Sequence, residues 1–264
     1  MSSLHDAFAA AKAEDRAALV GYLPAGFPTV DGAVDAIRVM VENGVDIVEI
    51  GLPYSDPLMD GPTIQAAVDA ALRGGVTTKD VLATAEAVAR TGAPTLVMTY
   101  WNPVERYGTE RFARDLASAG GIGVITPDLT PEEAGPWIEA SDAAGIDRVF
   151  LVAPSSSDER IDVVCGITTG FVYAASLMGV TGVKSVSSAA PELVARTRPR
   201  TPLPVAVGLG VSTADQAADV AQYADGVIVG SAFVKQLLEA PTPAEGVAAV
   251  GRLAAELAEG VRRR

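Results

Sequence analysis

A chain of 264 residues with 49% hydrophobic side chains can bury one large core, and 1–264 reads as a single domain of α/β-barrel size. Thirty-three acidic against twenty basic residues give a formal charge of −13, which excludes nucleic acid as a partner, because such binders need a basic footprint. One cysteine, Cys165, and one histidine leave no internal disulfide and no Cys/His metal cluster, so a reducing, cytoplasmic setting without a metal is expected.

Met1 to Phe8 lacks the basic and long apolar segments of a signal peptide, and no run approaches the ~20 apolar residues that span a bilayer, so a soluble chain is expected. Leu4, Ala7, Phe8 and Ala11 instead share one face of a short amphipathic helix over Leu4–Ala13, suited to plugging one end of a barrel. Short apolar runs then alternate with amphipathic stretches, the pattern of repeated strand–helix units and a parallel sheet.

Eight strands are predicted, at Ala18–Leu23, Asp46–Ile50, Thr95–Tyr100, Gly123–Thr126, Arg148–Ala153, Phe171–Ala175, Val205–Gly208 and Gly226–Val229. Between them helices are predicted near Val30–Glu42, Ile64–Ala71 with Thr78–Arg90, Thr109–Ser118, Pro131–Ala143, Asp158–Val164, Pro191–Thr197 and Thr213–Gln222. Ala244–Arg264 reads as a closing helix whose three final arginines suit a helix C-terminus. The fold class expected is α/β, a (β/α)8 TIM barrel with an extra N-terminal helix. An open doubly wound sheet would want Gly-x-Gly-x-x-Gly after the first strand, where Tyr22-Leu23-Pro24-Ala25-Gly26 stands instead.

In such barrels chemistry sits at the carboxyl ends of the strands, and the informative residues fall there. Glu49 is the odd residue in the apolar strand around Ile47, Val48 and Ile50, surroundings that would raise its pKa enough to carry a proton near neutral pH. Asp60, before Gly61 and Pro62, ends a proline- and glycine-punctuated loop and equally suits a helix N-cap; Asp56, pinned by Pro57, reads as loop-shaping. Gly208-Leu209-Gly210-Val211-Ser212 and Gly230-Ser231-Ala232, without Lys or Arg, are signals for a phosphate cradled by backbone N–H groups. Ser176 to Lys184 is Gly-hinged and long enough to close over the mouth, though it also suits an ordinary surface loop.

Pro53-Tyr54-Ser55-Asp56-Pro57-Leu58-Met59-Asp60-Gly61-Pro62-Thr63-Ile64-Gln65 resembles the signature of the tryptophan synthase α subunit family. Gly179-Val180-Thr181-Gly182 and the two glycine loops resemble that family in order and spacing, and the similarity runs from about Leu19 to Val234. The resemblance implies a barrel that cleaves indole-3-glycerol phosphate to indole and glyceraldehyde 3-phosphate by a retro-aldol step, with no cofactor in this chain. It implies Glu49 as the acid/base at indole C3 and Asp60 as the acid on the indole N–H. By the same carry-over, Gly182, Gly208, Gly210, Gly230 and Ser231 would bind phosphate. Tyr22, Ile64, Tyr100, Ile125, Tyr173, Thr181 and Leu209 would line the indole pocket or lid, although Ile125 equally suits plain barrel core.

The family docks on a pyridoxal-phosphate β subunit that receives indole, in an α2β2 complex. Pro53, Asp56, Asn102, Pro103, Asp128 and Pro131 match its docking face. Three positions depart from the pattern: Met59 where a small residue is expected, Leu177 where some members have Arg, and Gly120-Gly121-Ile122-Gly123 without an Asp. A free-standing lyase would share the catalytic acids. A module that only activates the β subunit would not need both acids and both glycine loops.

Overall fold

The computed structural model describes residues 3–175, 189–208 and 210–264. Its strands are β1 (Ala18–Pro24), β2 (Ile47–Gly51), β3 (Thr95–Met98), β4 (Gly123–Ile125), β5 (Asp147–Val149), β6 (Leu151–Val152), β7 (Val172–Ala175), β8 (Val205–Gly208) and β9 (Gly226–Val229). All pair in parallel, in the order β5-β4-β3-β2-β1-β9-β8-β7-β6. The two ends of that order flank Phe150, so β5 and β6 are halves of one strand and the sheet is a (β/α)8 barrel. The single run expected over Arg148–Ala153 is divided because its first half pairs with β4 and its second with β7. Phe150 still serves the ladder, its carbonyl accepting the Tyr173 N–H at 3.1 Å.

Around the barrel run α1 (Leu4–Ala13), α2 (Val30–Glu42), α3 (Pro62–Arg73), α4 (Thr78–Ala89), α5 (Trp101–Tyr107), α6 (Thr109–Ser118), α7 (Gly135–Ala144), α8 (Asp158–Ile167), α9 (Ala189–Thr197), α10 (Ala214–Ala221), α11 (Ser231–Glu239) and α12 (Pro243–Gly260). Local chemistry fixes several starts. Ser3 and Asp6 form a capping box on α1, while the hydroxyls of Thr29 and Thr213 accept N–H groups of Gly32 and Gln216. Three helices differ from expectation. α12 ends at Gly260, so the three arginines lie beyond its last turn, although Arg262 still donates to the Ala258 carbonyl at 2.8 Å. α7 starts at Gly135 rather than Pro131, after a turn over the preceding residues. The unexpected α5 places Pro103 in its first turn, where the missing N–H has no intrahelical partner to lose.

Strand alternation divides the apolar residues between two cores. Val48, Ile50, Val97 and Val124 face outward onto the helices, with Ile37, Met40, Phe112, Trp137 and Phe233. Val20, Ile47, Leu96, Ile125, Val149, Phe171, Ala206 and Ile228 face inward, and Leu4, Ala7, Phe8 and Ala11 of α1 close that inner core from below. Phe8 meets Phe171 with ring centroids 5.6 Å apart, so α1 is the expected plug. Burying Leu4 and Phe8 contributes about 2 kcal/mol each. Among the described residues no helix is long and apolar enough to cross a membrane.

The plug is tied to the barrel by a buried charge. Arg16, 6% exposed, donates to both carboxylate oxygens of Asp46 at 2.6 and 2.8 Å and to Glu14 at 2.7 Å; Asp46 also accepts the Leu19 N–H at 2.8 Å. Removing one partner of such a pair leaves the other charge uncompensated. Asp46→Ala is therefore expected to lower unfolding free energy by about 3 kcal/mol in urea titrations, with a native far-ultraviolet spectrum at zero denaturant.

Candidate active site

The barrel mouth holds one pocket that gathers residues from most strand ends. Tyr22 of β1, Glu49 of β2, Ile125 of β4, Tyr173 of β7, Gly208 of β8 and Gly230 after β9 line it, joined by Met59, Asp60 and Ile64 from the β2–α3 segment and by Gly210 and Ser231. Met98, Pro127, Leu151, Ala175 and Ile228 complete the described lining. These five carry no polar signal in sequence. Only their inward register singles them out.

Glu49 is 3% exposed, and its Oε2 has no hydrogen-bond partner among the described residues. Burial, with Asp60 adding like-charge repulsion, pushes its carboxyl up to about 8. Desolvation disfavours the ion, so the group holds a proton at neutral pH. The apolar surroundings come from Ile47 and from across the barrel rather than from Val48 and Ile50. Val48 and Ile50 face the outer core, whereas Ile47 and Ile125 share the inner one.

Asp60 is 7% exposed and also raised by burial, with a hydrogen bond from Tyr100 pulling the other way. Its carboxyl does not cap α3. Gly61 occupies the N-cap without a side-chain bond, Pro62 begins the helix, and the Asp60 carbonyl accepts the Gln65 amide at 2.7 Å. Freed from capping, the carboxyl turns into the pocket. Tyr100 holds the loop there, its hydroxyl accepting the Met59 N–H at 3.0 Å. Met59, unexplained by the sequence pattern, thus has its backbone tied to the pocket wall and its side chain in the lining. Tyr100 acts from behind the acid rather than within the described lining.

Opposite the acids lies a backbone-built concavity. Gly210 adopts φ +66°, a left-handed conformation that favours glycine, with nothing within 4 Å of where a Cβ would stand. Gly230 is the N-cap of α11 and Ser231 its first residue, so free N–H groups and the positive end of that helix face the pocket. No Lys or Arg stands among the described lining residues. Such an arrangement suits a dianion held through amides and a hydroxyl.

Close approach shapes the walls between these two ends. A Cβ at Gly51 would stand 2.2 Å from the Tyr22 hydroxyl, and one at Gly208 would stand 2.2 Å from that of Tyr173. Each tyrosine therefore lies flat on a strand-end glycine. Gly182, Thr181, Leu209 and Leu177, together with the segment Ser176–Lys184, lie outside the described residues.

The residues matched to a docking face divide. Asp56, Asn102 and Pro103 meet Tyr54, Thr78, Arg106 and Tyr107 around one surface depression beside the mouth. Ser55 donates to Asp56 at 2.6 Å, the loop-shaping contact expected, and Leu58 beside it is 70% exposed. Pro53 is buried within the chain, and Pro131 lies outside the depression. Asp128 accepts the Trp101 N–H at 2.9 Å and so caps α5 from the next loop, a non-local contact that no local sequence signal announces. Among the described residues no group of three or more His, Cys, Asp or Glu could hold a metal ion.

The sequence profile of the family described as tryptophan synthase alpha chain matches residues 8–262. The tryptophan synthase alpha chain of Acidothermus cellulolyticus is 60% identical over 264 residues, covering 100% of this chain and 98% of that one. A structure of Mycobacterium tuberculosis tryptophan synthase superposes with a TM-score of 0.93 at 55% identity, covering 99% of both chains. An aminoacrylate-bound form of that enzyme gives 0.90 at 53% identity, over 99% of this chain and 100% of that one. The chain belongs to the tryptophan synthase alpha chain family, lyases that cleave indole-3-glycerol phosphate and pass indole to a β subunit.

Proposed function

We propose that Glu49 and Asp60 divide the cleavage of indole-3-glycerol phosphate between them, with the whole chain acting as one barrel domain. Glu49, protonated near neutral pH, delivers its proton to indole C3 while Asp60 holds the ring N–H and balances the positive charge that develops on nitrogen. The Glu49 carboxylate then takes the proton of the hydroxyl on the adjoining glycerol carbon. That O–H pair becomes the aldehyde carbonyl, the C–C bond breaks, and its electrons return to the ring as the C2–C3 double bond. Indole and glyceraldehyde 3-phosphate leave, and Glu49 is again protonated.

The observation that carries this reading is one pocket with two buried acids and an amide-rich concavity that has no cation among the described residues. The phosphate is assigned to Gly208, Gly210, Gly230 and Ser231, and the indole to the wall that includes Tyr22, Ile64, Ile125 and Tyr173. The step requires no cofactor in this chain; pyridoxal phosphate belongs to the β partner. A β subunit is assigned to the rim around Asp56, Leu58, Asn102 and Pro103, in an α2β2 assembly. A cytoplasmic setting fits a chain with one cysteine.

Glu49→Gln is expected to lower indole release from indole-3-glycerol phosphate at least about 100-fold, while inorganic phosphate still binds. A variant that keeps most of its activity rejects the role. The same substitution should stabilise the protein. The folded-state value of Glu49 lies above its ordinary 4.5, so between about 4.5 and 8 the folded chain holds a proton that the unfolded chain releases, and stability falls as pH rises. Glutamine lacks that penalty, so thermal unfolding at pH 7 should show a gain of about 3 kcal/mol that shrinks towards pH 4.5. Turnover measured with and without the β subunit is expected to be much slower alone; equal rates would mark a free-standing lyase.

A further inference from the structure

Under that reading Glu49 becomes a buried anion once in every turnover, and an ionised carboxylate without a donor is costly there. Below it lies only the apolar inner core of Ile47, Leu96, Ile125 and Phe171. Relief must come from the mouth side. The ionisable groups facing it there are Tyr22 of β1, Tyr173 of β7, Asp60 of the β2–α3 segment and Tyr100 after β3. Asp60 is a like charge. The Tyr100 hydroxyl is engaged with Met59 and Asp60, and the Tyr173 hydroxyl lies over Gly208, beside the phosphate concavity.

Tyr22 differs from these. It is Glu49's register partner across the β1–β2 ladder, and its hydroxyl lies over Gly51, which is two residues further along β2 on the Glu49 face. At a strand rise of about 3.3 Å per residue, that glycine stands about 6.6 Å beyond Glu49 Cα, a span that an extended glutamate side chain and one hydrogen bond cover together. No described residue hydrogen-bonds to the Tyr22 hydroxyl, and the ring is only 5% exposed. A hydroxyl with no partner among the described residues, carried by a buried ring that lines the pocket one pleat above a buried acid without one, is a donor held in reserve.

We propose that Tyr22 is a positioning residue for Glu49, its hydroxyl donating to the Glu49 carboxylate once the proton has been delivered and holding it towards the substrate. Gly51 makes the arrangement possible, because any larger residue would displace the ring. Burial first, then Asp60 and Glu49, raise the Tyr22 phenol well above its ordinary value, so it keeps its proton and remains a donor throughout turnover.

The inference rests on Glu49 being the acid, and its test is separate from that of Glu49. Tyr22→Phe keeps the ring and removes only the hydroxyl, and a thermal melt checks that the fold is retained. In the full chain with its β subunit, kcat for indole-3-glycerol phosphate should fall about 10- to 100-fold with KM within about twofold, the loss expected for one hydrogen bond to a charged group. The alkaline limb of the kcat profile should also move up by about one pH unit, because the carboxylate has lost a donor. An unmoved limb, whatever happens to kcat, or a change confined to KM, overturns the proposal. If Glu49→Gln retains activity, the parent reading fails instead, whatever Tyr22→Phe does.

Discussion

A carboxyl group kept from water governs the arrangement of this barrel. Glu49 stands at the boundary between an apolar floor and a polar mouth, and the floor exists because α1 delivers Leu4 and Phe8 beneath the strands. With water admitted from below, the desolvation that raises Glu49 would weaken and the acid would ionise at neutral pH. The N-terminal helix is far from the chemistry in position and near to it in effect. Arg16 and Asp46 connect the two, tying the end of the plug to the start of the strand that bears Glu49.

The two acids illustrate how one pocket can hold two carboxyls in different surroundings. Both are buried and both are raised, but Glu49 has no donor at Oε2 whereas Asp60 receives one from Tyr100. That difference separates them in acidity, which is the division the proposed cleavage asks of the strand acid and the loop acid. The loop position follows from Gly61 and Pro62, which start α3 without calling on the Asp60 side chain.

Much of this was legible in the chain itself. Eight apolar runs announce the barrel, and Glu49 betrays itself as a charge inside one of them. The glycines at 208, 210 and 230 stand at strand ends without a lysine nearby, which is a physical signal of anion binding by backbone. What escaped the sequence depends on partners distant in the chain. The break at Phe150 comes from a strand that must pair with β4 and then β7. Helix α5 is capped by Asp128, 27 residues downstream of Trp101. Apart from Ile47, the surroundings of Glu49 come from other strands of the barrel, which strand alternation permits and adjacency in sequence conceals.

The plug also settles the direction of traffic. With Leu4, Phe8 and Phe171 filling the floor, a small aromatic product has no way down through the barrel axis. Among the described residues the open end is the mouth, whose rim carries Tyr54, Asp56 and Asn102. A protein seated on that rim would therefore stand across the exit itself, able to receive what the barrel releases before bulk water does.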